Sequence, residues 1–122
     1  MIAGNGDVGF TKYYKGKFNA YQRTYVLMDF KVNAKYLFYY LQMYLPNRVK
    51  TEMSGSAVPY IRLATLSEMN VIIPDIETQK MIAELLSNYD ALIENISSRV
   101  NSQTINLINQ KQAIMDNIFR GV

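Results

Sequence analysis

Cysteine, histidine and tryptophan are all absent from the 122 residues. Without cysteine there is no disulfide framework, which is compatible with a cytoplasmic protein, the location expected here. Without cysteine or histidine, His/Cys zinc centres and histidine-based nucleophilic triads are excluded. No run is apolar enough to span a bilayer, and the start, Met1-Ile2-Ala3-Gly4-Asn5-Gly6, has neither the basic nor the apolar region of a signal peptide. No membrane partner and no cofactor are expected. Glycine and proline are also missing from one long stretch, residues 76–120.

Within that stretch the apolar residues recur at gaps of four and three. Ile82, Leu86, Tyr89, Ile93, Ile96, Val100, Leu107 and Ile114 fall on one stripe, with Gln103 and Gln110 in its polar gaps. A heptad seam of this kind predicts one long helix that needs a partner helix. At 1.5 Å per residue the stretch would form a rod of roughly 68 Å. The expected fold class is therefore α+β: a small mixed α/β head, residues 1–74, followed by one long C-terminal coiled-coil helix, residues 75–122.

Charge divides along the same line. Residues 1–74 carry nine Lys/Arg against four Asp/Glu, a net +5, whereas residues 75–122 carry four against six, a net −2. A basic head on a slightly acidic helix predicts a polyanion for the head and protein for the helix. The competing reading is a solvated surface with a chance imbalance.

In the head, Val8–Tyr14 and Thr24–Met28 read as strands around the turn at Lys15-Gly16-Lys17. Asn33 is placed to cap a helix whose apolar face carries Leu37, Leu41 and Leu45, and Pro46 is expected to stop it. Residues 53–58 form a Ser/Gly loop, followed by a strand at 59–63. Thr65–Glu68 has the spacing for one helical turn, and Asn70–Ile73 reads as a strand ended by Pro74. Asp75 is placed to cap the long helix, with Glu77 in its first turn and Gly121 at its end.

Two motif matches fail on context. Gly4-Asn5-Gly6-Asp7-Val8-Gly9 fits a dinucleotide fingerprint, but the following Phe10–Tyr14 is strand-like, so no helix N-terminus is available for a pyrophosphate. Pro74-Asp75 with Glu77 has Gln79 where a metal-dependent nuclease would carry lysine. No two prolines are adjacent, which removes the Asn-Pro-Pro-Tyr stretch of base methylation. No residue set carries catalysis, so the chain is expected not to be an enzyme.

A binding signal remains. Residues 12–23 hold four cations, no acid and four aromatics. Lys12, Tyr13, Tyr14, Lys15, Lys17, Asn19, Tyr21, Gln22 and Arg23 are candidate DNA contacts, because cations neutralise phosphates while Tyr, Asn, Gln and Arg reach phosphate oxygens or base edges. Some of these tyrosines could equally be packing residues of a small core. Arg48, Lys50, Ser54, Ser56 and Arg62 outline a second candidate surface, or an ordinary connection.

Gly55-Ser56-Ala57-Val58-Pro59-Tyr60-Ile61, the strand Val71-Ile72-Ile73-Pro74, and Ile76-Glu77-Thr78-Gln79-Lys80-Met81-Ile82-Ala83-Glu84-Leu85-Leu86 together resemble the specificity subunit of type I restriction–modification enzymes. In that family a target-recognition domain ends in an apolar strand and a proline, then an acid and a glutamine open a long spacer helix. The helix around Tyr36-Leu37 and the Gly4–Gly9 corner also match. Thr78 departs from the pattern, standing where a second acid is common. The resemblance implies the later part of one recognition domain plus its spacer helix, with the earlier part expected before Met1.

It also implies a non-catalytic subunit that reads one half of a bipartite double-stranded DNA target. The helix would set the gap between half-sites and dock the methyltransferase (modification) subunit and, through it, the restriction subunit. A methyltransferase partner would carry S-adenosylmethionine. The seam would pair with a second spacer helix or with the same helix in a homodimer. The alternative is a coiled-coil assembly or adaptor protein whose head binds protein rather than DNA.

Overall fold

Asn33 opens the first helix, its side-chain Oδ1 accepting the Tyr36 N–H at 2.9 Å, the N-cap geometry that satisfies an orphan donor. In this computed structural model, residues 1–4, 9–20, 22–52, 60–96 and 101–121 are described. They fall into two units, Met1–Val71 and Ile72–Val122.

The first unit is built on helix α1, Ala34–Glu52. The expected stop at Pro46 does not occur. Pro46 lies on the exposed side of α1, where its missing N–H removes one backbone bond and its ring meets solvent. Beyond it, Val49 is 4% exposed in the core, and Arg48 pairs with Glu52 at 3.2 Å across the next turn. Burying a valine contributes about 1.5–3 kcal/mol, which together with the added helical turn offsets the roughly 3 kcal/mol cost of an interior proline. The stripe Leu37, Leu41 and Leu45 thus gains Val49 as a further member.

Against this stripe sits a minimal sheet. β1 (Ile2–Ala3) and β2 (Thr24–Tyr25) pair antiparallel, with Ile2 opposite Tyr25 and Ala3 opposite Thr24. On the other edge Ile2 bridges Thr11, and the Ala3 and Lys12 N–H groups donate to the carbonyls of Phe10 (2.9 Å) and Met1 (2.8 Å). The core is Ile2, Leu41, Leu45, Val49 and Ile61, lined by Tyr25, Leu27, Leu37, Leu66 and Met69.

Most of the expected strand content is not formed. The strand expected at Val8–Tyr14 shrinks to a bridge at Thr11, with Val8 outside the described residues, and Thr24–Met28 to two residues. Pro59 is also outside; Tyr60–Arg62 are irregular and Leu63 begins α2, Leu63–Ser67, which includes part of the expected Thr65–Glu68 turn. Asn70–Ile73 is not a strand. Ile72 and Ile73 are each 51% exposed, and β propensity without a ladder partner does not make a strand.

The second unit corrects the single long coiled-coil helix. α3 runs Ile76–Ile96 and α4 runs Asn101–Gly121; residues 97–100 lie outside the described residues. Lys111 Nζ meets Asp90 Oδ1 at 2.5 Å, although 21 residues of straight helix would separate them by about 31 Å. Four linking residues reach at most ~14 Å, too short for a parallel return, so the helices form an antiparallel hairpin. The physical reason lies in the seam. A lone rod would leave it in water, whereas folding back buries Ile82, Ala83 and Leu86 of α3 and Met115 and Phe119 of α4.

Of the seam residues, Ile82 and Leu86 are buried, and Tyr89, Ile93, Ile96, Leu107 and Ile114 are half-buried; Val100 is outside the described residues. Gln103 and Gln110 are exposed, and Thr104 and Lys111, one position later, take the half-buried polar places. Asp75 caps α3 as expected, its Oδ2 accepting the Thr78 N–H (3.3 Å) and its Oδ1 the Thr78 hydroxyl (2.6 Å). The buried Gln79 amide donates to the Pro74 carbonyl at 2.7 Å, holding the chain as it enters the helix.

Candidate nucleic-acid interface

Lys12, Lys15, Lys17, Arg23, Lys50 and Arg62 are exposed, and none makes an ion pair among the described residues. Cations left without carboxylates are available to an external anion. They reach the surface from different supports. Lys12 follows the bridge at Thr11, with its ammonium 5.7 Å from the Phe10 ring. Lys15 and Lys17 flank Gly16, whose φ of +98° and open surroundings mark an exposed turn. Lys50 lies in the last turn of α1, where a cation also suits the helix dipole.

Tyr13 and Tyr14 belong to an aromatic cleft over α1. Met1, Lys12, Tyr14, Phe18, Phe30 and Phe38 are among its lining residues. Tyr13 stands 6.0 Å from Phe38 and Tyr14 stands 5.8 Å from Phe18, both tilted. Lys35, on the first turn of α1, holds its ammonium 5.5 Å from the Tyr13 ring. Lysines beside half-exposed rings suit the apolar and phosphate parts of a nucleic acid together. The sequence reading missed Phe18, Phe30, Phe38 and Lys35. Phe18 sat inside the run and was legible there, whereas the other three approach only through the tertiary fold.

Arg23 forms a separate place. Its backbone is left-handed, φ +61°, a conformation that costs a non-glycine residue about 1–3 kcal/mol. Gly4 donates its N–H to the Arg23 carbonyl at 2.8 Å. A Cβ on Gly4 would stand only 2.2 Å from that oxygen, so glycine is required there for close approach. Arg23 shares a cleft with Gly4, Tyr25, Tyr60 and Ile61. Tyr60 was not among the sequence candidates; its place next to Ile61, near Arg62, was the only signal. Asn19 and Gln22 are exposed.

Arg48 is engaged elsewhere. Its Nε donates to the Thr65 carbonyl at 2.7 Å and its Nη2 pairs with Glu52, whose other oxygen accepts the Thr65 hydroxyl at 2.5 Å. This network ties α1 to α2, and Arg48 serves the fold. Tyr21, Ser54 and Ser56 lie outside the described residues. Among the described residues no three acidic side chains gather as a metal site.

Residues 1–113 match the type I restriction modification DNA specificity domain. The chain belongs to this family. It is similar to the type I restriction enzyme EcoDI specificity subunit of Escherichia coli, 32% identical over 99% of this chain and 27% of that subunit. It is also similar to the MjaVIII specificity subunit of Methanocaldococcus jannaschii, 31% identical over 77% of this chain and 23% of that subunit. The specificity-domain chain thus spans about a quarter of the length of these relatives. No solved structure matches it.

The opening of α3 carries its own electrostatics. Thr78 lies in the first turn of α3, and its hydroxyl donates to the capping Asp75 carboxylate. These hydrogen bonds from Thr78 hold the Asp75 carboxyl below its usual range. No helix among the described residues is long and apolar enough to cross a membrane.

Proposed function

We propose that the chain is a non-catalytic DNA-recognition module that reads one half of a bipartite double-stranded target. Membership of the specificity-domain family supports this reading. The observation that carries it is a set of exposed cations on the first unit, six candidate contacts among them, that make no ion pair among the described residues. Lys12, Lys15, Lys17, Lys50 and Arg62 neutralise phosphates and set the register on the duplex, while Arg23, Asn19 and Gln22 are the polar groups suited to base edges.

The finer architecture follows the same reading. The first unit is the recognition head and the helical hairpin is the spacer. The hairpin docks the methyltransferase subunit and, through it, the restriction subunit, all in the cytoplasm. The exposed Met81, Leu85 and Leu92 of α3 fall within about 40° of one another at 100° per residue, giving that docking an apolar stripe. The seam from Ile82 to Ile114 pairs two spacers by exchange of α4 between copies, which reproduces between chains the contacts seen within one. Two heads then straddle a duplex with the gap set by helix length.

The test is affinity for a mixed-sequence 30-base-pair duplex over a salt series. Each phosphate neutralised contributes about −0.9 to the slope of log K against log salt, so the five phosphate contacts give a slope of about −4.5. Retention independent of salt would refute the reading and favour an adaptor head.

A further inference from the structure

We propose that Arg23 is the base-reading side chain of this head, taking the N7 and O6 edge of a guanine in the major groove. The inference deepens the DNA-recognition reading and rests on it.

Three independent observations single out Arg23 among the exposed cations. The first is its backbone. A guanidinium fork carries sequence information only if its origin is fixed, because the two donors must meet two acceptors at once. Arg23 has that fixed origin. It precedes β2 directly, its φ is +61°, and its carbonyl is clamped by the Gly4 N–H at 2.8 Å. By contrast Lys15 and Lys17 flank a glycine with nothing within 4 Å of its missing Cβ, a support suited to phosphate and not to register.

The second is the wall beside it. Tyr60, 49% exposed, lines the same cleft as Arg23. The cleft is held from both sides: the Ile61 N–H donates to the Gly4 carbonyl at 3.1 Å, and the Tyr25 hydroxyl donates to the Ile61 carbonyl at 2.8 Å. A flat ring on a braced support restricts the directions open to the guanidinium.

The third is that the guanidinium is exposed and has no ion-pair partner among the described residues, unlike Arg48. A non-glycine residue in the left-handed region is a strained conformation of the kind that collects at functional sites.

The experiment is selection of the full chain against a randomised duplex pool, repeated with Arg23→Gly, Arg23→Lys and Lys15→Ala. Glycine adopts the positive φ at no steric cost, so the first variant removes the side chain without disturbing the fold; circular dichroism checks this. The expected result is that Arg23→Gly loses discrimination for guanine at one position by roughly 5- to 150-fold. Arg23→Lys restores it only in part, and Lys15→Ala weakens all duplexes alike. If Arg23→Gly weakens all sequences uniformly or changes nothing, the inference is overturned and the DNA-recognition reading stands. If the unmodified chain binds duplexes without base preference, the inference is overturned and only the DNA-binding part of that reading stands. If the unmodified chain binds no duplex, that reading falls and takes the inference with it.

Discussion

Lys111 on α4 meets Asp90 on α3 at 2.5 Å, with the lysine side chain only 12% exposed. This ion pair brings the two halves of the seam together in one chain. Because cysteine is absent, the arrangement can be measured cleanly. Spin labels on cysteines placed at the exposed Glu77 and Asn117 should report a separation of about 15–20 Å. An uninterrupted helix would hold those positions about 60 Å apart, and a distance near that value would refute the hairpin.

The Arg48 network separates a structural cation from those proposed to face DNA. Arg48→Ala should destabilise the first unit by about 1–3 kcal/mol, since it strands the Thr65 carbonyl and the Glu52 carboxylate. Its salt slope on duplex DNA should stay unchanged. Arg62→Ala should do the reverse, leaving the denaturation midpoint in place and lowering the slope by about 1. Equal DNA effects for the two variants would show that Arg48 leaves its network on binding.

The clamp at Gly4 is also measurable. Gly4→Ala puts a methyl group 2.2 Å from the Arg23 carbonyl oxygen, so one backbone must move and the 2.8 Å bond between them is lost. The expected cost is about 1–3 kcal/mol in urea denaturation. An unchanged midpoint would mean that the β1–β2 edge yields freely.

Asp75 gives a pH dependence with a definite sign. Thr78 donates two hydrogen bonds to its carboxylate, and these hold its pKa below the ordinary 3.8. A depressed folded-state pKa stabilises fully above the unfolded-state value, and that stabilisation is lost as pH falls through the folded-state value. Thr78→Val removes the hydroxyl, so the Asp75 titration followed by carboxyl NMR should move up toward its ordinary range. A titration that stays in place would remove the hydroxyl as the cause.

Tyr36 behaves oppositely at high pH. It is fully buried, and burial, with Tyr40 and Tyr44 close by, pushes its pKa from 10.0 up to about 12. The neutral phenol is the form the fold accommodates. The stabilisation is complete below about pH 10 and lost as pH rises through about 12. Tyr36→Phe should therefore flatten the alkaline limb of a stability profile; a profile that keeps its limb would place the sensitivity on another group.

The parts of the fold legible in the sequence were the ones set by neighbours within a turn or two. Asn33 and Asp75 cap their helices as read, because a cap is a hydrogen bond to the third residue on. Leu37, Leu41 and Leu45 face the core because spacing fixes a helical face. The stop at Pro46 misread a balance: local cost is visible in sequence, but the burial of Val49 that outweighs it depends on Ile2 and Ile61 arriving from elsewhere. The strands failed for the same reason, since ladder partners are chosen by the whole unit.

At the interface, composition alone identified the cationic, acid-free run from Lys12 to Arg23. It could not separate Arg48, drawn into Glu52 and Thr65, from Arg23, which is exposed and makes no ion pair among the described residues. Both are arginines in basic surroundings, and only the positions of their carboxylate and carbonyl neighbours distinguish them. The seam shows the division most clearly. Periodicity determined that Ile82, Leu86 and Ile114 must meet an apolar partner, because burial demands one. That α3 and α4 of one chain can supply that partner for each other was decided by tertiary structure, where Lys111 of α4 meets Asp90 of α3 and both helices bury apolar residues.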